Sequence, residues 1–186
     1  MDLYHGTDKK LNAGDLLLPK TNWINGKEEV EKSKAVYATP DLESAEYFGA
    51  RGLYSRGKNM TDNSDGGVLR VISSDRRSDP FIFAKDRKYY VYRVKSDGFV
   101  LSNPDKRDKV MEHRSESPAE ILEVVREETL EEWLNRGNRI YIVSDSIMED
   151  AWAHKKSFDE TLKHAVPYRD WPGGVSFRDL KIKGRD

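Results

Sequence analysis

The sequence predicts an α+β fold, and three observations carry that expectation. Short runs rich in β-branched and aromatic residues recur along the chain, among them LYH at 3–5, AVYA at 35–38, YYVYRVK at 89–95 and RIYIVS at 139–144, which is strand composition. Helical spacing is clear in only three places, too few to supply the crossovers of a doubly wound sheet. The longest helical pattern comes after the strands, as an amphipathic carboxy-terminal helix.

Taken in order, Leu3 to His5 form a first strand ended by Gly6, and LNAGDLLLPK gives a turn and a brief extended piece closed by Pro19. Residues 20–34 are polar and glycine-containing and read as a loop. In AVYATPDLESAEYFGARG, a strand over 35–38 leads into a helix over 40–50, with Thr39 as cap and Pro40 at the first helical position, where a missing N–H costs nothing. Residues 51–80 read as a loop-like insertion with GVLRVI at 67–72 as its strand, and SDG at 96–98 supplies a turn after the strand 89–95. KVMEHRS (109–115) and EILEVVRE (120–127) read as two more strands around Pro118. Thr129 and Glu132 make a capping box for LEEWLNR, with Gly137 as its stop. Ser146 and Glu149 suggest another box, followed at helical spacing by Ile147, Ala151, His154, Phe158, Leu162 and Ala165, with an interruption near Ser157. The expectation is a single domain over 1–186, its core spanning about 2–145 and a helical extension 146–186, with an irregular tail from Pro167.

Composition excludes several classes. The 186 residues carry 32 basic and 33 acidic side chains, a net charge of -1, so bulk charge points to neither nucleic acid nor membrane. Charge is nevertheless segregated: Arg51 to Lys95 holds eleven Lys or Arg against five Asp or Glu, and Glu112 to Glu132 holds eight acids against two arginines. The chain has no cysteine, which rules out disulfides, thiolate metal sites and a cysteine nucleophile. Without an apolar run of membrane-span length or the marks of a signal peptide in MDLYHG, a cytoplasmic protein is expected. His113, His154 and His164 lie near Glu149, Asp150 and Glu160 in sequence, but a pair such as Asp150 and His154 at i, i+4 is ordinarily a solvated helix-face pair, and no metal is expected. Phosphate-loop, zincin, serine-hydrolase and dinucleotide-Rossmann motifs are all missing.

What remains is an ordered set: LYHGT on the first strand, VYATPDLESAEYF on a strand and helix, and VMEHRS on a late strand. His5 stands at a strand end before a glycine, which sets an imidazole beside an approachable backbone N–H and C=O. Tyr37 offers an aromatic face suited to a planar, partly cationic ring. Glu112 offers a carboxylate able to stabilise positive charge.

In this order the three elements resemble the strand motifs of the NAD-dependent ADP-ribosyltransferase superfamily, in its His-Tyr-Glu branch of diphtheria-toxin-like and poly(ADP-ribose) polymerase-like enzymes. YHGT, LNAGDLLLP and VYAT also look like the small bacterial rifampin ADP-ribosyltransferases, and HRSESP resembles their last motif; the resemblance covers roughly residues 2–127. It implies a mixed or antiparallel split sheet with peripheral helices, and NAD as substrate. His5 would bond a ribose hydroxyl, the Gly6 backbone would hold the nicotinamide carboxamide, and Thr7 would add a ribose contact. Tyr37 would stack on nicotinamide, with Tyr47 or Phe48 as a second wall. Glu112 would be the catalytic acid; Glu116 is the alternative, and Asp97 or Asp105 gains weight if the chain follows the rifampin enzymes, which place their acid upstream. Arg114 stands where a poly(ADP-ribose) polymerase-like strand would be apolar.

The implied activity is transfer of ADP-ribose, with loss of nicotinamide, to a nucleic acid or protein, in the manner of a bacterial or phage toxin or conflict effector. Alternatives are modification of a small molecule such as an antibiotic, plain NAD hydrolysis, or an inactive module binding nucleic acid or protein. The hint of a nucleic-acid acceptor is the basic segment 51–95, where Tyr54, Tyr89, Tyr90 and Tyr92 alternate with Arg51, Arg56, Arg70, Arg76, Arg77 and Arg87.

Overall fold

A computed structural model describes residues 1–20, 23–24, 27–28, 34–54, 59–62, 69–73, 87–102 and 112–167. Their elements are β1 (Leu3–Thr7), β2 (Leu16–Leu17), β3 (Trp23–Ile24), β4 (Lys27–Glu28), β5 (Val36–Ala38), α1 (Leu42–Tyr54), β6 (Asn59–Asp62), β7 (Leu69–Ser73), β8 (Lys88–Val94), β9 (Val100–Leu101), β10 (His113–Ser115), β11 (Ala119–Thr129), α2 (Leu130–Asn135), β12 (Arg139–Val143), α3 (Asp145–Ala153), α4 (Phe158–Leu162) and β13 (Val166–Pro167). This is a mixed α+β chain with mostly antiparallel sheets and few helices. Among the described residues no helix is long and apolar enough to cross a membrane.

Chain contacts define two compact units, residues 1–52 with 88–128 and residues 53–87 with 129–186. In the first, β1-β8-β11-β2 form one sheet and β5-β10-β9 another. Tyr4 and Thr39 join them by exchanging two backbone bonds, Tyr4 N–H to Thr39 O at 2.8 Å and Thr39 N–H to Tyr4 O at 2.9 Å. Alternation along the strands sends Leu3, Tyr90, Tyr92, Val94, Val36 and Ala38 to one face, where they pack with Leu17, Ala119 and Ile121. Tyr89 and Val91, on the other face of β8, are also fully buried. The strand is therefore covered on both sides, as its unbroken apolar run suggests.

Helix α1 covers that second face at very short range. A Cβ on Gly6 would overlap the Ala45 carbonyl oxygen and stand 2.6 Å from the Gly49 nitrogen, and a Cβ on Gly49 would stand 2.8 Å from the Tyr89 ring. The helix is further pinned by Glu46, which is buried and bonds Arg126 Nε at 2.8 Å; Arg126 in turn bonds Glu128 at 3.1 Å, and the Tyr89 hydroxyl donates to Glu128 at 2.7 Å. The helix begins later than the Thr39–Pro40 signal suggests. Thr39 spends its backbone on the bridge to Tyr4, so Asp41 caps instead, accepting from Ser44 N–H at 3.1 Å.

In the second unit, β7 and β12 pair in parallel at the centre of the order β13-β12-β7-β6, and the other pairings are antiparallel. Thr129 and Glu132 form the expected capping box of α2, which buries Leu130, Trp133 and Leu134. The cap of α3 is Ser144, not Ser146, because β12 ends at Val143 and the chain turns at once. The carboxy-terminal helical pattern divides into α3 and α4. The break follows Lys155, at φ 51°, and Ser157 restarts the helix through a capping box with Glu160. Met148 from α3 packs with Val71 and Val143, and Ile147, Phe158, Leu162 and Ala165 close around them. The tail beyond Pro167 lies outside the described residues.

Tight approach at Gly6 predicts an unequal cost for two alanine substitutions. Gly6→Ala should lose roughly 3 kcal/mol or more through overpacking against helix backbone. Gly14, at φ 88° with open space around it, should lose only about 1 kcal/mol from left-handed strain. Urea unfolding midpoints at matched m values check the ranking.

Candidate active site

The two sheets of the first unit part immediately after the Tyr4–Thr39 bridge, and His5, Gly6 and Tyr37 border the parting. Continuing the antiparallel register would set Gly6 opposite Tyr37, yet only the one bridge forms. The Tyr37 carbonyl is taken instead by the His5 ring, with Nδ1 2.7 Å from the oxygen. A carbonyl only accepts, so Nδ1 carries the proton and Nε2 is left as an acceptor. Burial holds the imidazole below its ordinary value of 6.5, outweighing the upward pull of the Tyr37 bond, and Lys20 lowers it further. The neutral ring is the form present at neutral pH.

Gly6 is presented by the same geometry. Tyr4 turns its backbone groups toward Thr39, so alternation turns those of His5 toward Tyr92 on β8 and those of Gly6 back toward the parting. A bare N–H and C=O therefore face the gap between β1 and β5. Thr7 ends the strand half-buried, its Oγ1 accepting from Lys9 N–H at 3.3 Å.

Tyr37 and Glu112 come together through strand pairing. On β10, His113 pairs Ala38 and Leu101, and Arg114 pairs Tyr37 and Val100. Glu112 is one step earlier, its carbonyl accepting from Ser102 N–H at 2.9 Å. Side chains two apart share a face, so Tyr37, Thr39, Glu112 and Arg114 project together. Glu112 is thus the diagonal neighbour of Tyr37, at about 7–8 Å between backbones. Both side chains are half-buried. His5 alternates to the opposite face, with Leu3 and Tyr92, and reaches Tyr37 only through the edge of its ring.

The other acids are placed differently. Asp97 is in an exposed turn, 3.5 Å from Lys95, with its side chain 80% accessible. Glu116 is beyond the end of β10 at 60% accessibility, and Asp105 lies outside the described residues. Tyr47 and Phe48 touch each other edge to face at 5.2 Å on α1. With Ala45 and Gly49 against Gly6, helical spacing sets Tyr47 on the far side of the helix and Phe48 on its flank.

Three features of this region escape sequence reasoning. Arg114 shares the face of Tyr37 and Glu112, a consequence of register. Ser102 Oγ, in the row of Glu112, is buried without a hydrogen-bond partner. Tyr89, Tyr90 and Tyr92 are buried at 0%, 8% and 0% accessibility, so the tyrosines that seemed to alternate with arginines as a stacking surface are core. The Tyr92 hydroxyl is held by Leu11 N–H at 2.7 Å and Lys9 O at 3.1 Å, and burial raises its pKa. Among the described residues, no group of three His, Cys, Asp or Glu is placed to hold a metal; Asp150 pairs with His154 at 2.9 Å and with Lys156 on an exposed surface.

A comparison with protein-family models and with curated proteins gives no match.

The depressed pKa of His5 makes stability depend on pH. Above pH 6.5 the ring is neutral in folded and unfolded chains alike, and its contribution is complete. As pH falls through 6.5 toward the lower folded value the unfolded chain takes up the proton first, and that contribution is lost. Denaturation midpoints between about pH 7.5 and 5 should fall for the wild type and fall less for His5→Gln.

Proposed function

We propose that this protein is a NAD-dependent ADP-ribosyltransferase that releases nicotinamide and passes ADP-ribose to a macromolecular acceptor, nucleic acid or protein. The observation that carries the reading is the parting of β1 from β5, held by the His5–Tyr37 bond, with the Gly6 backbone facing the gap. A carboxamide needs one acceptor and one donor side by side, and the C=O and N–H of one glycine supply both. Tyr37 gives the nicotinamide ring a stacking partner, and His5 Nε2 gives a ribose hydroxyl an acceptor.

The bond from the ribose anomeric carbon to the nicotinamide nitrogen breaks, its electron pair leaving with nicotinamide. Positive charge then builds on the ribose, and Glu112 stabilises it while holding a ribose hydroxyl. The acceptor nucleophile bonds the anomeric carbon and gives up its proton to Glu112 or to solvent. The half-buried setting of Glu112, against the exposure of Asp97 and Glu116, favours it as the acid. Burial of Tyr89, Tyr90 and Tyr92 removes the aromatic half of the hint toward nucleic acid, so the two acceptor classes stand level.

Incubation with labelled NAD and whole-cell lysate, split into nuclease-treated and protease-treated halves, should leave label in one half only. Glu112→Gln should slow nicotinamide release about 100-fold or more without loss of fold, and Tyr37→Ala should chiefly raise KM for NAD. Nicotinamide release unchanged in Glu112→Gln, or none from the wild type with any lysate, would defeat the proposal.

A further inference from the structure

We infer that Arg114 binds the diphosphate of the dinucleotide and so selects a phosphorylated ligand over a free nucleoside; the inference rests on the NAD reading above. Arg114 pairs directly with Tyr37 across β5 and β10, which brings their side chains side by side on one face. The diphosphate of NAD is one ribose away from nicotinamide. With the ring stacked on Tyr37, an arginine stem from the adjacent strand spans that separation.

Glu112 is two residues from Arg114 on the same face, and a positive group at Arg114 favours a dianionic ligand beside that carboxylate. Arg114 is well suited, because its planar fork can donate two parallel bonds to phosphate oxygens. Its side chain is 33% accessible, and its ion pair with Glu116 is long, at 3.9 Å, with a carboxylate that is itself 60% accessible. A pair of that kind contributes less than charge-assisted bonds to phosphate. A diphosphate therefore displaces Glu116 at little cost.

Two other arginines of this unit are committed elsewhere. Arg126 is held by buried Glu46 and by Glu128, and Arg93 bonds Glu123 at 2.6 Å. Opposite Arg114 on the β9 side stands Val100, 58% accessible, which leaves that flank open.

Titration calorimetry with NAD, ADP-ribose and nicotinamide riboside tests the assignment on wild type, Arg114→Gln and Arg114→Lys, with thermal melts as a check on folding. Arg114→Gln should weaken NAD and ADP-ribose about 10-fold or more and leave nicotinamide riboside within about 2-fold, as expected for loss of charged bonds to phosphate alone. Arg114→Lys should recover part of the loss, and raising salt should weaken NAD binding more steeply in the wild type than in Arg114→Gln. Unchanged affinity for ADP-ribose in Arg114→Gln, or equal weakening of the riboside, overturns the role of Arg114 while leaving the transferase reading intact. A wild type that binds neither NAD nor ADP-ribose overturns both.

Discussion

The bond from His5 Nδ1 to the Tyr37 carbonyl is the constraint around which the first unit is organised. A strand running antiparallel beside β5 would ordinarily satisfy that carbonyl with a backbone N–H, and the two sheets would fuse into one. By supplying a ring N–H instead, His5 meets the hydrogen-bonding need of Tyr37 while holding the backbones apart. The ladder stops after a single bridge. An unpaired carbonyl at a half-buried position would cost about 1–3 kcal/mol, so the side chain at position 5 decides whether the sheet can open there at all.

Gly6 answers to two demands that run in different directions. Perpendicular to the sheet, it admits the backbone of α1 at a distance no side chain tolerates. Within the sheet, it turns an N–H and C=O toward the parting. Sequence reasoning supplied only the second reason, because the approach of a helix some forty residues later leaves no local mark. The pair Glu46 and Arg126 is similar: each reads as one more charge in a chain that is 35% charged, and only packing makes them a buried clamp on α1.

The legible parts of the fold are those with local causes. The turn at Gly98, the box of Thr129 and Glu132, and the restart at Ser157 depend on side chains within a few residues of the backbone groups they serve. The structure departs from local signals where a distant partner claims the group first: Thr39 does not cap the helix, because Tyr4 occupies its backbone. The tyrosines of β8 are core although arginines alternate with them in sequence. For β8, the unbroken apolar run was the better guide.

Register explains why the third component of the candidate site is the least legible in the sequence. A strand shifted by one residue exchanges its two faces, and nothing in VMEHRS states which residue of β10 stands opposite Tyr37. The pairing of Arg114 with Tyr37 settles it. Glu112 and Arg114 then share the face of the tyrosine, while His113 and Ser115 take the other. Buried Ser115 is consistent with this, since its face is the one that Val36 and Ala38 bury in the core. An arginine that departs from an apolar pattern is costly on a core face and natural on an open one. Its presence at position 114 is therefore itself a mark of which face of β10 is turned away from the core, and that is the face carrying Glu112.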